Sequence, residues 1–375
     1  MTATLWSLDQ HEGKPFNPTR LAAARERRGL TKQAFAELCA VSRRAVTAWE
    51  SGDVDHPPVG LISKVLDFPE QFFFADDIPE VPEHWVSFRA LSSMTSRQVH
   101  RILAVSSLAV EFGHWIDARY GTPAPDLPDL GETPGLVPTL AAEDVRSTWG
   151  IHERPVKNML ALLEKRGVRV FSLPMNDREI DAFSFTREGR PFVFINTTKS
   201  AERMRFDLAH ELGHLVLHPH ENKSRSRQLE QEANDFASSF LVPADALYSQ
   251  IRGTPRLEDV FTLKKYWKVS ALAMVERLFQ LQLISEWTRR QWLVALSQRG
   301  YRTSEPDGMH PEKSMLLEQL FRAAREDGWT LRRIAEELCV YERTLDELVF
   351  GLAVAPISGQ GQLTPPIKGH LRRVK

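Results

Sequence analysis

The run Phe206-Asp207-Leu208-Ala209-His210-Glu211-Leu212-Gly213-His214-Leu215-Val216-Leu217-His218 constrains this chain more than any other stretch. Leu208, Leu212, Leu215 and Val216 recur at helical spacing, which predicts a largely buried helix. Positions four apart on a helix are rotated by about 400°, so His210 and His214 project from one face, one turn apart. Paired buried imidazoles need a partner for their polar atoms. Their spacing lets both nitrogens share one Zn²⁺ ion. Glu211 lies about 100° round the helix from His210. From there it can reach a water on the metal without ligating the ion, which is the division of labour that metal-assisted hydrolysis needs.

A catalytic zinc takes a third protein ligand and keeps a fourth position open. The next helical run, 228–241, offers Glu230, Glu232 and Asp235 beside an apolar stripe of Leu229, Ala233, Phe236, Ala237 and Phe240. Glu230 and Glu232 flank that stripe almost symmetrically, so periodicity does not choose between them. His218 lies one turn beyond His214. Two imidazoles and one carboxylate already leave water as the fourth ligand, so His218 is expected behind the ligands or in a structural role. Tyr248 is a candidate oxyanion donor.

Length and composition bound the rest. A chain of 375 residues is long enough for about two or three domains. With 42% hydrophobic and 26% charged residues, wholesale disorder is excluded. The 48 basic and 49 acidic residues nearly balance, so any nucleic-acid site has to be a local patch. No basic-then-apolar leader begins the sequence and no apolar run approaches the roughly 20 residues that span a bilayer. Cys39 and Cys339 offer no disulfide framework. The expectation is a cytoplasmic protein without membrane contact.

Punctuation along the chain predicts the organisation. The division runs 16–75, a helix-turn-helix; 76–140, a linker and long helix; 141–250, a metal-binding domain; 251–355, a helical region; and 356–375, a disordered tail. Asp76–Pro82 holds two prolines and three acids and reads as linker. Val99, Ile102, Val105, Leu108, Phe112, Trp115 and Ile116 mark a long amphipathic helix. The proline-rich stretch 121–138 reads as a surface loop. Pro155 is expected to open a helix that Gly167 ends. Runs 168–173, 181–186 and 191–196 read as strands, the last two joined by a hairpin turn at 187–190.

The segment Leu30–Gly52 has its own geometry. Thr31 is placed to cap a helix whose Phe35 and Leu38 face inward, and Ser42 to cap a second with Val46 and Trp49 buried. Arg43, Arg44 and Thr47 are then left outward near the start of the second helix, where a recognition helix meets base edges in a major groove. Gln33 is placed to bond a phosphate. Between Pro18 and Gly52 stand seven basic and three acidic residues, the local patch that the whole-chain balance demands. A second echo runs from Trp329 to Gly351, matching Thr, Ala, Glu, Val, Arg and Gly without gaps. It has Tyr341 in place of the Ser cap, and Asp346 and Glu347 where phosphate would lie, so it reads as a structural or interaction helix pair.

Two resemblances sharpen these readings. Leu30–Gly52 resembles the XRE family of phage-repressor helix-turn-helix units through its Leu-Thr, Ala, Val-Ser and Trp-Glu-Ser-Gly elements. Trp85–Pro243 resembles the ImmA/IrrE zinc metallo-endopeptidases. That likeness is carried by Ser87-Phe88-Arg89, Asn196, Arg205-Phe206 through His214, Glu230-Gln231-Glu232-Ala233-Asn234 and Leu241-Val242-Pro243. The usual ending is Leu-Met-Pro, so Val242 departs from it. The resemblance implies Glu230 as third ligand and a mostly helical α+β fold. In that fold a helix-turn-helix bundle precedes a gluzincin-like metallopeptidase domain with a small β-sheet, followed by a helical C-terminal region. It further implies a DNA-binding transcriptional regulator with a zinc-dependent endopeptidase that cleaves a partner repressor or regulatory protein. The competing expectation is a transcription factor or antitoxin that uses the same domain for sensing or dimerisation without turnover. Double-stranded DNA and a protein substrate are the expected partners, with a homodimer as a further expectation.

Overall fold

The computed structural model describes residues 14–83, 94–131, 133, 135–173, 180–218, 227–302 and 305–353. It is mostly helical, with one small sheet. Residues 1–13, Ser87-Phe88-Arg89 and the tail 356–375 lie outside the described residues.

The head comprises α1 (Pro18–Arg27), α2 (Lys32–Leu38), α3 (Arg43–Ser51) and α4 (Val59–Leu66), closed by a 3-10 turn, Glu70–Phe74. Each start has a chemical cause. Asn17, Thr31 and Ser42 accept from the backbone N–H of Thr19, Ala34 and Ala45, satisfying donors that have no partner within the helix. Leu21, Phe35, Ala36, Val46 and Trp49 are buried. Leu38 is not: it is 58% exposed, and Cys39, at 4%, takes the inward place. Leu38 is three residues and Cys39 four residues from Phe35, so the spacing admits either, and the helical dihedrals of Cys39 keep it on the Phe35 face.

α5 (Ser96–Arg119) begins with a capping box of Thr95 and Gln98 and buries all seven residues of its expected stripe. β1 (Arg169–Ser172), β2 (Ala182–Arg187) and β3 (Arg190–Ile195) form a sheet in the order β1-β3-β2. β1 runs parallel to β3 and β2 antiparallel to it. The β2–β3 turn places Glu188 (φ 49°) and Gly189 (φ 74°) both in the left-handed region, which matches the right-handed twist of a two-residue hairpin. Alternation divides the sheet's faces. Phe183, Phe185, Phe192 and Phe194 stack on one side, against α5, where Gly113 leaves room for Phe192. Ser184 and its neighbours in phase face the other way, toward α8 (Ala201–Leu217).

α6 (Pro138–Thr148), α7 (Met159–Lys165) and α9 (Arg227–Leu241) pack around α8. α7 begins four residues later than Pro155 predicts, because Asn158, not the proline, supplies the cap, accepting from Ala161 N–H at 2.9 Å. Gly167 (φ 79°) follows its end as expected. Beyond α9 come α10 (Ala244–Gln250), α11 (Leu257–Trp267), α12 (Ala271–Gln280), α13 (Glu286–Gln298), α14 (Met315–Glu326), α15 (Leu331–Glu337) and α16 (Glu342–Val349). α7 and α14 cap each other. Glu312 accepts from Met159 and Leu160 N–H at 2.7 and 3.0 Å, while Glu164 accepts from Leu316 N–H at 3.0 Å and from the Ser314 hydroxyl. Arg205 of α8 completes the set by pairing with Glu312.

Candidate functional site

The site is built where α9 crosses α8. Gly213 sits at the crossing, and a Cβ there would lie 3.2 Å from Ala233 Cα and O and from Phe236 Cδ1. The absent side chain lets the two helices approach closely, and this brings Glu230, one turn before Ala233, opposite the histidine pair. His210 Nε2 and His214 Nε2 stand 3.1 Å apart. Glu230 Oε2 is 3.4 Å from His210 Nε2, and Oε1 is 3.4 Å from His214 Nε2. Ligand atoms of His210, His214 and Glu230 all lie within 4.8 Å of one another. Glu232 faces elsewhere, so the tertiary structure separates two acids that periodicity leaves equivalent.

These residues fit a metal ion. Two imidazole nitrogens and a carboxylate are the donor set of an open catalytic zinc site. Glu230 Oε2 is buried without a hydrogen-bond partner, an arrangement that is costly unless something else binds the oxygen. Burial pushes the Glu230 carboxyl up, but the facing His210 and His214 outweigh it and hold the group well below the usual carboxylate range.

The surrounding hydrogen bonds orient the ring nitrogens. His210 Nδ1 meets Asn234 Oδ1 at 3.0 Å. His214 Nδ1 faces His218 Nδ1 at 3.2 Å, and His218 Nε2 meets Glu232 Oε2 at 2.9 Å. His218 and Glu232 thus stand behind His214 in a chain, and such outer contacts fix ring orientation and tautomer. Glu211 is buried, and its Oε2 accepts from the Ser184 hydroxyl at 2.6 Å. Burial raises its carboxyl to about 7, against the opposing pull of His214 and the Ser184 hydrogen bond. Sequence reading misses Ser184. Its only signal is a polar residue inside the apolar run Phe183–Phe185. The Tyr248 hydroxyl donates to the Leu281 carbonyl at 3.1 Å.

Residues 163–279 match the model of the Peptidase_M78 family, described as the IrrE N-terminal-like domain, and residues 21–70 match a helix-turn-helix model. The chain joins a helix-turn-helix to an IrrE N-terminal-like domain. A search of curated proteins gives no match. The helix-turn-helix supports DNA binding, and the IrrE N-terminal-like domain is a metallopeptidase-like domain. No helix among the described residues is long and apolar enough to cross a membrane.

In the helix-turn-helix, most of the positive charge counted along the sequence is neutralised internally. Arg20 is buried and pairs with Glu111 of α5. Arg25 and Lys32 share Glu50 at 2.5 and 3.0 Å. Arg27 is buried against Glu347, and Arg28 pairs with Asp67 at 2.8 Å. Burying a guanidinium unpaired is costly, so these residues serve packing within the head and against its neighbours α5 and α16. Arg43 and Arg44 are exposed and make no ion pair among the described residues. Thr47 is exposed beside them, its hydroxyl donating to Arg43 O at 3.1 Å, while Gln33 reaches Glu37 at 2.8 Å. Ser42 Oγ is held by its capping bond. The free cationic surface is therefore narrower than the sequence count, and it sits at the start of α3.

Proposed function

We propose that the chain is a DNA-binding transcriptional regulator whose IrrE N-terminal-like domain is a zinc-dependent endopeptidase acting on a partner repressor or regulatory protein. Its site would lie in the division 141–250, with the reading head in 16–75. The observation that carries this reading is the convergence of His210, His214 and Glu230 beside the buried Glu211, whose carboxyl is fixed by the Ser184 hydroxyl. A purely structural zinc has no use for a carboxylate at that position.

His210, His214 and Glu230 would hold the ion. When bound, zinc supplies Lewis-acid polarisation of a peptide carbonyl and makes water a nucleophile near neutral pH. Glu211 takes the proton from the attacking water and returns it to the leaving amine. Ser184 holds Oε2 of that carboxyl, which leaves Oε1 for the transferred proton. In the head, Arg43, Arg44 and Thr47 meet base edges in the major groove, with Gln33 and the capped start of α3 at Ser42 against phosphate.

Glu211→Gln tests the catalytic half. It keeps size and hydrogen bonding, removes the base and leaves all three proposed ligands. The variant should fold, hold one zinc per chain and bind DNA, while cleavage of candidate repressors, followed by mass spectrometry, falls by about 10²–10⁴-fold. Equal rates in both proteins would remove Glu211 from the mechanism. If neither protein cuts while zinc removal alters DNA binding, the domain is a sensor.

A further inference from the structure

The echo of the head near the C-terminal end belongs to neither activity above. Its three helices, α14, α15 and α16, superpose on α1, α2 and α3 in sequence without a gap, Leu317 on Pro18 and Gly351 on Gly52. α15 covers α2 end for end, and α16 begins at the position where α3 begins. The backbones agree at the positions that enter the left-handed region. Gly29 (φ 62°) corresponds to Gly328 (φ 76°), Ala40 (φ 54°) to Cys339 (φ 55°), and Gly52 (φ 79°) to Gly351 (φ 72°). Ala40 and Cys339 decide the matter, because the left-handed region costs any residue with a Cβ.

The turn bonds repeat as well. Val41 donates to Ala36 O and Val340 to Ala335 O, both at 2.9 Å; Ala40 donates to Glu37 O and Cys339 to Glu336 O, both at 3.1 Å. Thr31 and Thr330 cap with the same atom at 3.1 Å. Leu320, Ile334, Ala335, Leu345 and Leu348 are buried where Leu21, Phe35, Ala36, Val46 and Trp49 are.

We propose that Leu317–Gly351 is a second helix-turn-helix whose second helix docks protein in place of nucleic acid, with the chain's own head as its partner. The outward positions of α16 have the wrong charge for phosphate: Glu342 stands for Arg43 and Asp346 for Thr47. The position of Arg44 is kept as Arg343, but that side chain pairs with Asp67, just beyond α4. Glu347 reaches Arg27, the last residue of α1, at 2.6 Å. Arg27 is buried, and a buried guanidinium deprived of its partner is unfavourable.

The opposite side of α16 rests on β1. Gly351 approaches so closely that a Cβ there would lie 2.7 Å from Thr197 Cβ. The unit is thus close-packed toward the sheet and the turn after it but ion-paired toward the head, where Glu347, Arg343 and Asp67 are each about half exposed. It fixes the head relative to the sheet that carries Ser184 and leaves α3 as the DNA-contacting helix.

The test uses the full chain. Glu347→Arg places like charges against Arg27, and Arg27→Glu in the same chain restores attraction. Amide exchange at the end of α1 and along α16 should quicken several-fold in the single variant and return toward wild type in the double. Arg343→Asp places like charges against Asp67 while leaving that residue's pair with Arg28, and repeats the test at an exposed contact. Exchange unchanged from wild type in Glu347→Arg, in its charge-swapped double and in Arg343→Asp would overturn the docking role. Duplex binding weakened by Arg343→Ala as much as by Arg44→Ala, with α16 cross-linking to DNA, would overturn it in favour of a second reading unit. The exchange measurement needs no DNA, so it stands or falls separately from the assignment of α3.

Discussion

At the scale of single residues, the candidate centre separates acids that look alike in the sequence. Glu230 meets both Nε2 atoms, whereas Glu232 meets His218, which in turn meets His214. Removing a ligand and removing a residue behind a ligand should therefore differ in degree. Glu230→Gln is expected to empty the site, read as metal per chain by elemental analysis. Glu232→Gln should keep the metal and lower its affinity by no more than about 10-fold, the small end of such effects. Loss of metal with Glu232→Gln alone would reassign the third ligand.

At the scale of elements, the proposed function rests on the α8–α9 pair and on α3, and each depends on a local feature. The α8–α9 crossing needs Gly213. Gly213→Ala places a methyl group 3.2 Å from the Ala233 backbone, which must move by a few tenths of an ångström. Overpacking of this kind costs about 1–3 kcal/mol, so urea unfolding should show that loss together with weaker metal binding. Unchanged metal affinity would mean that the crossing does not position Glu230. For α3, Arg44→Ala should weaken specific duplex binding by roughly 1–3 kcal/mol if the guanidinium forks a guanine. Arg28→Gln removes an equal charge from the same segment, but Arg28 is held by Asp67 and the carbonyls of Leu66 and Asp67. It should leave the salt dependence of binding unchanged in a titration.

At the scale of the whole molecule, the helices before and after the IrrE N-terminal-like fold are tied to it by buried acids at helix starts. Glu164 is the informative one. Burial raises its carboxyl to about 7, in spite of the Ser314 hydroxyl and the Leu316 and Met315 amides that favour the charged form. A carboxyl raised on folding binds its proton more tightly in the native state. Its contribution is therefore present below the unfolded value near 4.5 and is lost as pH rises through about 7. The full loss is on the order of 3 kcal/mol. Denaturation from pH 4 to 8 should show wild type losing stability across this window relative to Glu164→Gln, whose amide does not titrate. Parallel pH profiles would show that the group titrates alike in the folded and unfolded states.

Much of this was legible along the chain, because periodicity and capping are local. Helices α2, α3, α5 and α8, the three strands with their hairpin, and the histidine pair follow from spacing that any isolated segment carries. The His-Glu-x-x-His geometry is a property of one helix, and the head's caps are properties of single residues. Tertiary structure decided what depends on two segments meeting. It set Glu230, the acid that the resemblance implies, opposite the histidine pair at the Gly213 crossing, and brought Ser184 from β2 to Glu211. It buried Arg20, Arg25 and Arg27, so that a count of charges overstated the basic surface. It also turned the acidic echo into a second helix-turn-helix seated against the first, since ion pairs between positions hundreds of residues apart leave no periodic trace in the sequence.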